Sequence, residues 1–143
     1  MVIAIYPDEE RCYVTETDRQ LPESEQTRWY LRVLTQIEKA ALRDQRMSAN
    51  ALRDAQIELR TGTKTYQCVK AALVRFENLR VRKADGSIVV VDPEWDEKPE
   101  AVLGRPVRVL RERILDMVPD DVFLELYDQA KATLSLTEDD EKN

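Results

Sequence analysis

Thr27-Arg-Trp-Tyr-Leu-Arg-Val-Leu34 runs straight into Thr35-Gln-Ile-Glu38, and the reading of this stretch decides the class of fold. Trp29, Leu31 and Val33 fall on one side of an extended chain, and the aromatic and branched residues suit a pleated surface. Thr35 and Glu38 then stand in the capping-box arrangement, in which each side chain satisfies a backbone N–H left free at a helix start. The segment is predicted to be a strand that hands over to a helix.

Downstream, Ile37, Ala40, Ala41 and Asp44 share one face of that helix, a narrow stripe that predicts fraying near Met47. Ser48 to Asp54 reads as a loop or loose helix. Ala55 to Arg60 alternates Ile57 and Leu59 with polar residues, the pattern of a half-buried strand ended by Gly62. Thr63 or Thr65 caps the next helix, where Tyr66, Val69, Leu73 and Phe76 recur at helical spacing with Cys68, Ala72 and Leu79 beside them. Val81 to Lys83 and Ser87 to Val91 flank Asp85-Gly86, a pair that supplies the positive φ angles of a tight hairpin turn.

Asp92 to Gly104 holds two prolines and the carboxylates of Asp92, Glu94, Asp96, Glu97 and Glu100, and is expected to be an exposed loop. Val107, Leu110, Ile114 and Met117 form a helical stripe that Pro119 interrupts. A last helix restarts there, with Asp120 and Asp121 at its positive end and Val122, Phe123, Leu126, Tyr127, Ala130 and Leu134 along one face. Upstream of the decisive stretch, Val2 to Ile5 reads as a short strand and the polar chain through Gln26 as a loop. Together these elements predict an α+β fold: a single small domain over residues 1–136, with a few short antiparallel strands packed by about four helices. The C-terminal half is helix-rich, and residues 137–143 are expected to be an acidic, mobile tail.

Composition narrows the function. The 143 residues carry 35% charged and 43% hydrophobic side chains and a net charge of −6, the balance of a soluble globular protein. That sign argues against generic affinity for nucleic acid, although basic residues cluster at Arg75-Arg80-Arg82-Lys83 and Arg105-Arg108-Arg111-Arg113. No apolar run is long enough to cross a membrane, and the start of the chain lacks the pattern of a secretory signal, so a cytoplasmic location is expected. Cys12 and Cys68 are then expected to be free thiols, with Cys68 serving as a packing residue.

The chain contains no histidine, which excludes Ser-His and Cys-His nucleophile pairs, and its three glycines are too scattered for a phosphate-binding loop. The acidic residues 92–100 lack the regular oxygens and turn glycine of an EF-hand loop. No catalytic, cofactor-binding or metal-binding residue is assigned, and function is expected to lie in surfaces.

Several segments resemble the tail assembly chaperones of tailed bacteriophages. Leu21-Pro22-Glu23-Ser24-Glu25-Gln26-Thr27, followed by Leu34-Thr35 and Glu38, is similar to their "LP-x-x-EQT" opening and "LT-x-x-E". Thr61-Gly62-Thr63, then Ala72-Leu73-Val74, Phe76-Glu77-Asn78-Leu79 and Asp85-Gly86 follow the order "TGT", "GL-x-x-W-EN-L", "DG". The ending, Leu124-Glu125-Leu126 with Leu136-Thr137-Glu138-Asp139 and Glu141-Lys142-Asn143, is similar to their "EL" helix and "LSEEE-KN" tail. The chain departs from that pattern at Arg75-Phe76, where a Gly-Trp pair is typical, at Arg82-Lys83, which lengthens the hairpin, and between Pro93 and Gly104, where the loop is expanded.

The resemblance implies a protein that keeps the tape-measure protein soluble in the host cytoplasm and helps tail-tube subunits polymerise around it. Trp95, Leu110, Ile114, Phe123 and Tyr127 are the candidate partner surface, the alternative for each being the core. Self-association is also open. A second class of function is a permanent virion component, such as a head decoration, neck or tail-terminator subunit. A third, an enzyme or regulator acting on host machinery, would need a pocket of perturbed ionisable groups that the sequence does not place.

Overall fold

The handover from strand to helix occurs where the residues predict it. A computed structural model describes the backbone of residues 2, 9–50 and 54–142, and side chains at 2, 9–44 and 62–131. Strand β2, Arg28–Arg32, leads into helix α1, Gln36–Asn50. At the junction the Thr35 amide donates to Glu38 Oε1 at 2.9 Å, and the Glu38 amide reaches Thr35 Oγ1 at 3.5 Å, closing the capping box. The buried side of α1 is set by Glu38 and Leu42, while Ile37 is exposed. This corrects the expected stripe: the Glu38 carboxylate turns inward because Arg32 receives it, and Ile37 is thereby rotated out.

Strand β1, Glu10–Tyr13, pairs antiparallel with β2, and β2 with β3, Leu73–Glu77, giving a three-stranded sheet in the order β1-β2-β3. Helix α2, Asp54–Ala72, runs directly into β3. Two expectations are overturned here. Residues 55–60 are the start of α2, not a strand, because Asp54, Ala55, Gln56, Glu58 and Arg60 are better helix than strand formers and one glycine costs a helix only about 1 kcal/mol. Conversely, Leu73 to Phe76 leaves the helix. In the β2–β3 register Tyr30 faces Arg75 but Leu31 faces Leu73, so Val74 is an extra residue in β3. Such a bulge places residues three apart on one face. Leu73 and Phe76 are both buried for that reason, at a spacing that imitates a helix.

The β4–β5 hairpin, Leu79–Arg82 with Ile88–Val91, forms around Gly86 at φ 90° as the Asp-Gly pair predicts. The expected loop 92–104 is more ordered than its polarity suggests. Trp95 bridges Leu110, and β6, Glu100–Val102, pairs with β7, Arg105–Val107, through Leu103 and Gly104 at φ 54° and 78°. Two successive positive φ angles make the primed turn that suits a two-residue hairpin, and Leu in the first position hides it from sequence reading.

β7 also corrects the helix expected through Val107 and Leu110. Only a short α3, Glu112–Leu115, remains before α4, Asp120–Lys142. Pro106 and Val107 pair with Ala101 and Glu100, and Leu110 bridges Trp95, so partners across the hairpin and the loop hold this segment extended. Helix α4 runs through the residues read as a tail, and its buried positions Leu126, Tyr127 and Ala130 follow the expected face. Leu134 lies outside the described side chains, and of the expected strand 2–5 only Val2 is described. Upstream, β1 and two 3₁₀ turns replace a featureless loop.

α2 packs against both α1 and α4, and the core gathers Trp29, Phe76, Leu73, Val69, Leu110, Ile114 and Leu126 between helices and sheet. Among the described residues there are four α-helices and seven strands in small antiparallel sheets. The fold is α+β and forms a single small domain.

A candidate docking groove

Where α2 meets the turn between α3 and α4, the helices do not close completely. They leave an open cavity of about 510 Å³. It is lined by Thr65 and Tyr66 from α2, by Leu115 and Val118, and by Phe123 and Leu124 of α4. The Tyr66 and Phe123 rings lie nearly parallel, 6.0 Å apart and inclined by 11°, so the groove is flanked by an aromatic pair. Leu124 is 56% exposed although it stands beside these rings. An exposed leucine on a charged helix is unremarkable alone, but here it extends an apolar concavity.

The rim is acidic. Asp116, in the turn after α3, and Asp120, at the start of α4, line the opening and are both exposed. Neither carboxylate forms an ion pair among the described residues. The nearby cations are engaged elsewhere: Arg113 pairs with Glu94 at 2.8 Å, and Arg111 Nε donates to the Trp95 carbonyl at 3.2 Å. Burial raises the pKa of Tyr66; Lys70 lowers it in part, and the negative charges of Glu112, Asp116 and Glu100 push it further up. The phenol is therefore neutral at physiological pH and acts as an aromatic wall with a polar tip.

A second apolar surface stands on the β4–β5 hairpin. Arg80 faces Val90 and Arg82 faces Ile88 in the register, so these four side chains share one face. All four are exposed, Ile88 by 57% and Val90 by 61%. Neither arginine forms an ion pair among the described residues.

The five residues singled out from the sequence separate. Leu110, Ile114 and Tyr127 are buried in the core, so they are packing residues and not a free surface. An apolar stripe has the same spacing whether it faces the core or a partner, so spacing alone does not separate the two. Phe123 is half-buried and lines the groove. Trp95 is half-buried too but folds back onto β3, where its Nε1 donates to the Val74 carbonyl at 2.8 Å, and the Arg108 guanidinium covers its ring at 3.9 Å. Tyr66 and Leu124 were missed. Among the described side chains of α4, Leu124 is the exposed large apolar residue off the buried stripe, and that offset is the signal that points to it.

No family model, curated protein or solved structure matches the chain.

The groove offers shape, apolar contact and negative charge. Of the two thiols, Cys12 is exposed on β1 and Cys68 is fully buried, with burial pushing its pKa up to about 12. Among the described residues no group of three or more cysteine or acidic side chains is placed to hold a metal ion, and no helix is long and apolar enough to cross a membrane.

Proposed function

We propose that this chain is a non-catalytic protein-binding protein of phage morphogenesis, and that it works like a tail assembly chaperone. The observation that carries the reading is the groove between Tyr66, Phe123 and Leu124, an apolar concavity large enough for one or two large side chains. A helix that lays its apolar stripe into such a groove is a recurrent mode of recognition. The carboxylates of Asp116 and Asp120 at the rim favour a client whose apolar residue is flanked by Lys or Arg.

The order of the sequence segments that resemble tail assembly chaperones supports the choice of client, the tape-measure protein, with tail-tube subunits as the second partner. An acidic chain also suits the task, since net charge opposes precipitation of the complex in the host cytoplasm.

The test is co-expression of the tagged chain with the tape-measure and tail-tube proteins encoded beside it. A soluble stoichiometric complex, with the tape measure insoluble when expressed alone, is the expected result. If neither protein is retained and the chain is found in symmetric copy number in purified particles, the chaperone reading fails and a virion subunit replaces it.

A further inference from the structure

The hairpin face and the groove are complementary. One presents two exposed aliphatic side chains, Ile88 and Val90, beside the guanidinium groups of Arg80 and Arg82. The other presents an apolar hollow beside the carboxylates of Asp116 and Asp120. None of these four charges has an ionic partner among the described residues, and the two surfaces share no residue. The hairpin thus carries the chemistry expected of a client: an apolar residue flanked by cations.

We infer that the groove of one copy receives the β4–β5 hairpin of a second copy when no client is present. The inference rests on the reading of the groove as a docking site and adds its regulation. A groove that binds apolar segments is a liability when empty, because exposed apolar surface promotes unspecific association. Occupation by a second copy covers it reversibly, and a client displaces the hairpin by competing for the same walls. The contact is heterologous, since groove and hairpin are different surfaces, so each copy has one donor and one acceptor site free to propagate. Such a contact closes into a ring or extends as a chain. The two arginines also set orientation, because rotating the hairpin end for end would displace them from the rim carboxylates.

Sedimentation velocity on the full chain tests this between about 1 μM and about 1 mM, the range in which weak interfaces with K_d values near the middle are resolved. Weight-average mass is expected to rise with concentration and to fall back on adding salt. The double variants R80E/R82E and D116K/D120K are each expected to weaken association by about tenfold or more. An equimolar mixture of the two restores association, because each variant then meets the opposite charge. All four positions are exposed, so thermal unfolding of each variant serves as the control for folding. Mass that stays monomeric at every concentration overturns the inference, as does self-association that both variants leave unchanged.

Client retention by R80E/R82E separates the two readings. If this variant and the wild type both retain the tape measure while the wild type is monomeric, only the self-occupation fails. If association follows the expected pattern but no client is retained, the chaperone reading fails instead.

Discussion

The indole N–H of Trp95 donates to the backbone carbonyl of Val74, the residue that the register slip in β3 leaves without an opposite number in β2. A bulge disrupts the ladder locally, and a side chain from the following loop supplies a donor there. Trp95 thus fastens the segment 92–97 to the sheet, and the same residue bridges Leu110 to hold the entry to α3. Trp95→Phe, which removes the donor together with one ring of the indole, is expected to cost about 1–2 kcal/mol in urea-induced unfolding. Trp95→Ala adds the loss of ring packing, including the cation–π contact of Arg108, and costs roughly 2–4 kcal/mol. Equal stability of the wild type and Trp95→Phe would show that the Val74 carbonyl is satisfied equally well without the indole.

Glu38 is buried, yet its pKa is lowered. Burial raises it, but the Arg32 guanidinium, the Thr35 amide and the Thr35 hydroxyl together outweigh that effect. Since the folded value lies below the ordinary one of 4.5, the carboxylate adds stability at neutral pH, and this is lost as pH falls through the folded value. Glu38→Gln leaves Arg32 and Arg105 facing a neutral group and is expected to cost about 3–5 kcal/mol at neutral pH. The cost should shrink as the pH is lowered into the acid range. A pH-independent difference between wild type and variant in denaturant titrations would contradict this account.

The two thiols should behave differently in the native protein. Cys12 is exposed, whereas Cys68 is fully buried and its pKa is pushed up to about 12. Ellman's reagent is expected to titrate Cys12 alone under native conditions and both residues after unfolding. Rapid native labelling of Cys68, identified by mass spectrometry, would place it nearer the surface than the fold puts it.

Leu124→Asp separates binding from stability. Leu124 is largely exposed, so the substitution should change folding stability by no more than about 0.5 kcal/mol. It puts a third carboxylate inside the groove and should abolish recovery of a co-expressed client. Undiminished recovery at wild-type stability would move the client site elsewhere.

Asn78 sits at φ 60°, and its side-chain amide donates to the Ser24 carbonyl at 3.2 Å and the Gln26 carbonyl at 3.1 Å. Asn78→Gly relieves the backbone but removes both bonds, while Asn78→Ala removes the bonds and keeps the strain. The alanine variant is therefore expected to be the less stable by roughly 1 kcal/mol in thermal or chemical unfolding. The reverse order would indicate that the positive φ at this position costs alanine less than the greater freedom of glycine in the unfolded chain costs the glycine variant.

Local chemistry alone determined several features of this protein. The Thr35–Glu38 capping box sets the start of α1, Asp85-Gly86 sets the β4–β5 turn, and the spacing of Leu126, Tyr127 and Ala130 sets the buried face of α4. Each depends on residues a few positions apart, so the sequence contains the whole interaction. The absence of histidine, which removes Ser-His and Cys-His nucleophile pairs, is likewise a property of the sequence. Tertiary structure decided where α2 ends, because Leu73 to Glu77 becomes a strand only when β2 lies beside it. It also decided that Leu110, Ile114 and Tyr127 are core while Tyr66, Phe123 and Leu124 edge a groove. Periodicity reports that a face is apolar, but whether another part of the chain covers that face depends on contacts between residues far apart in sequence.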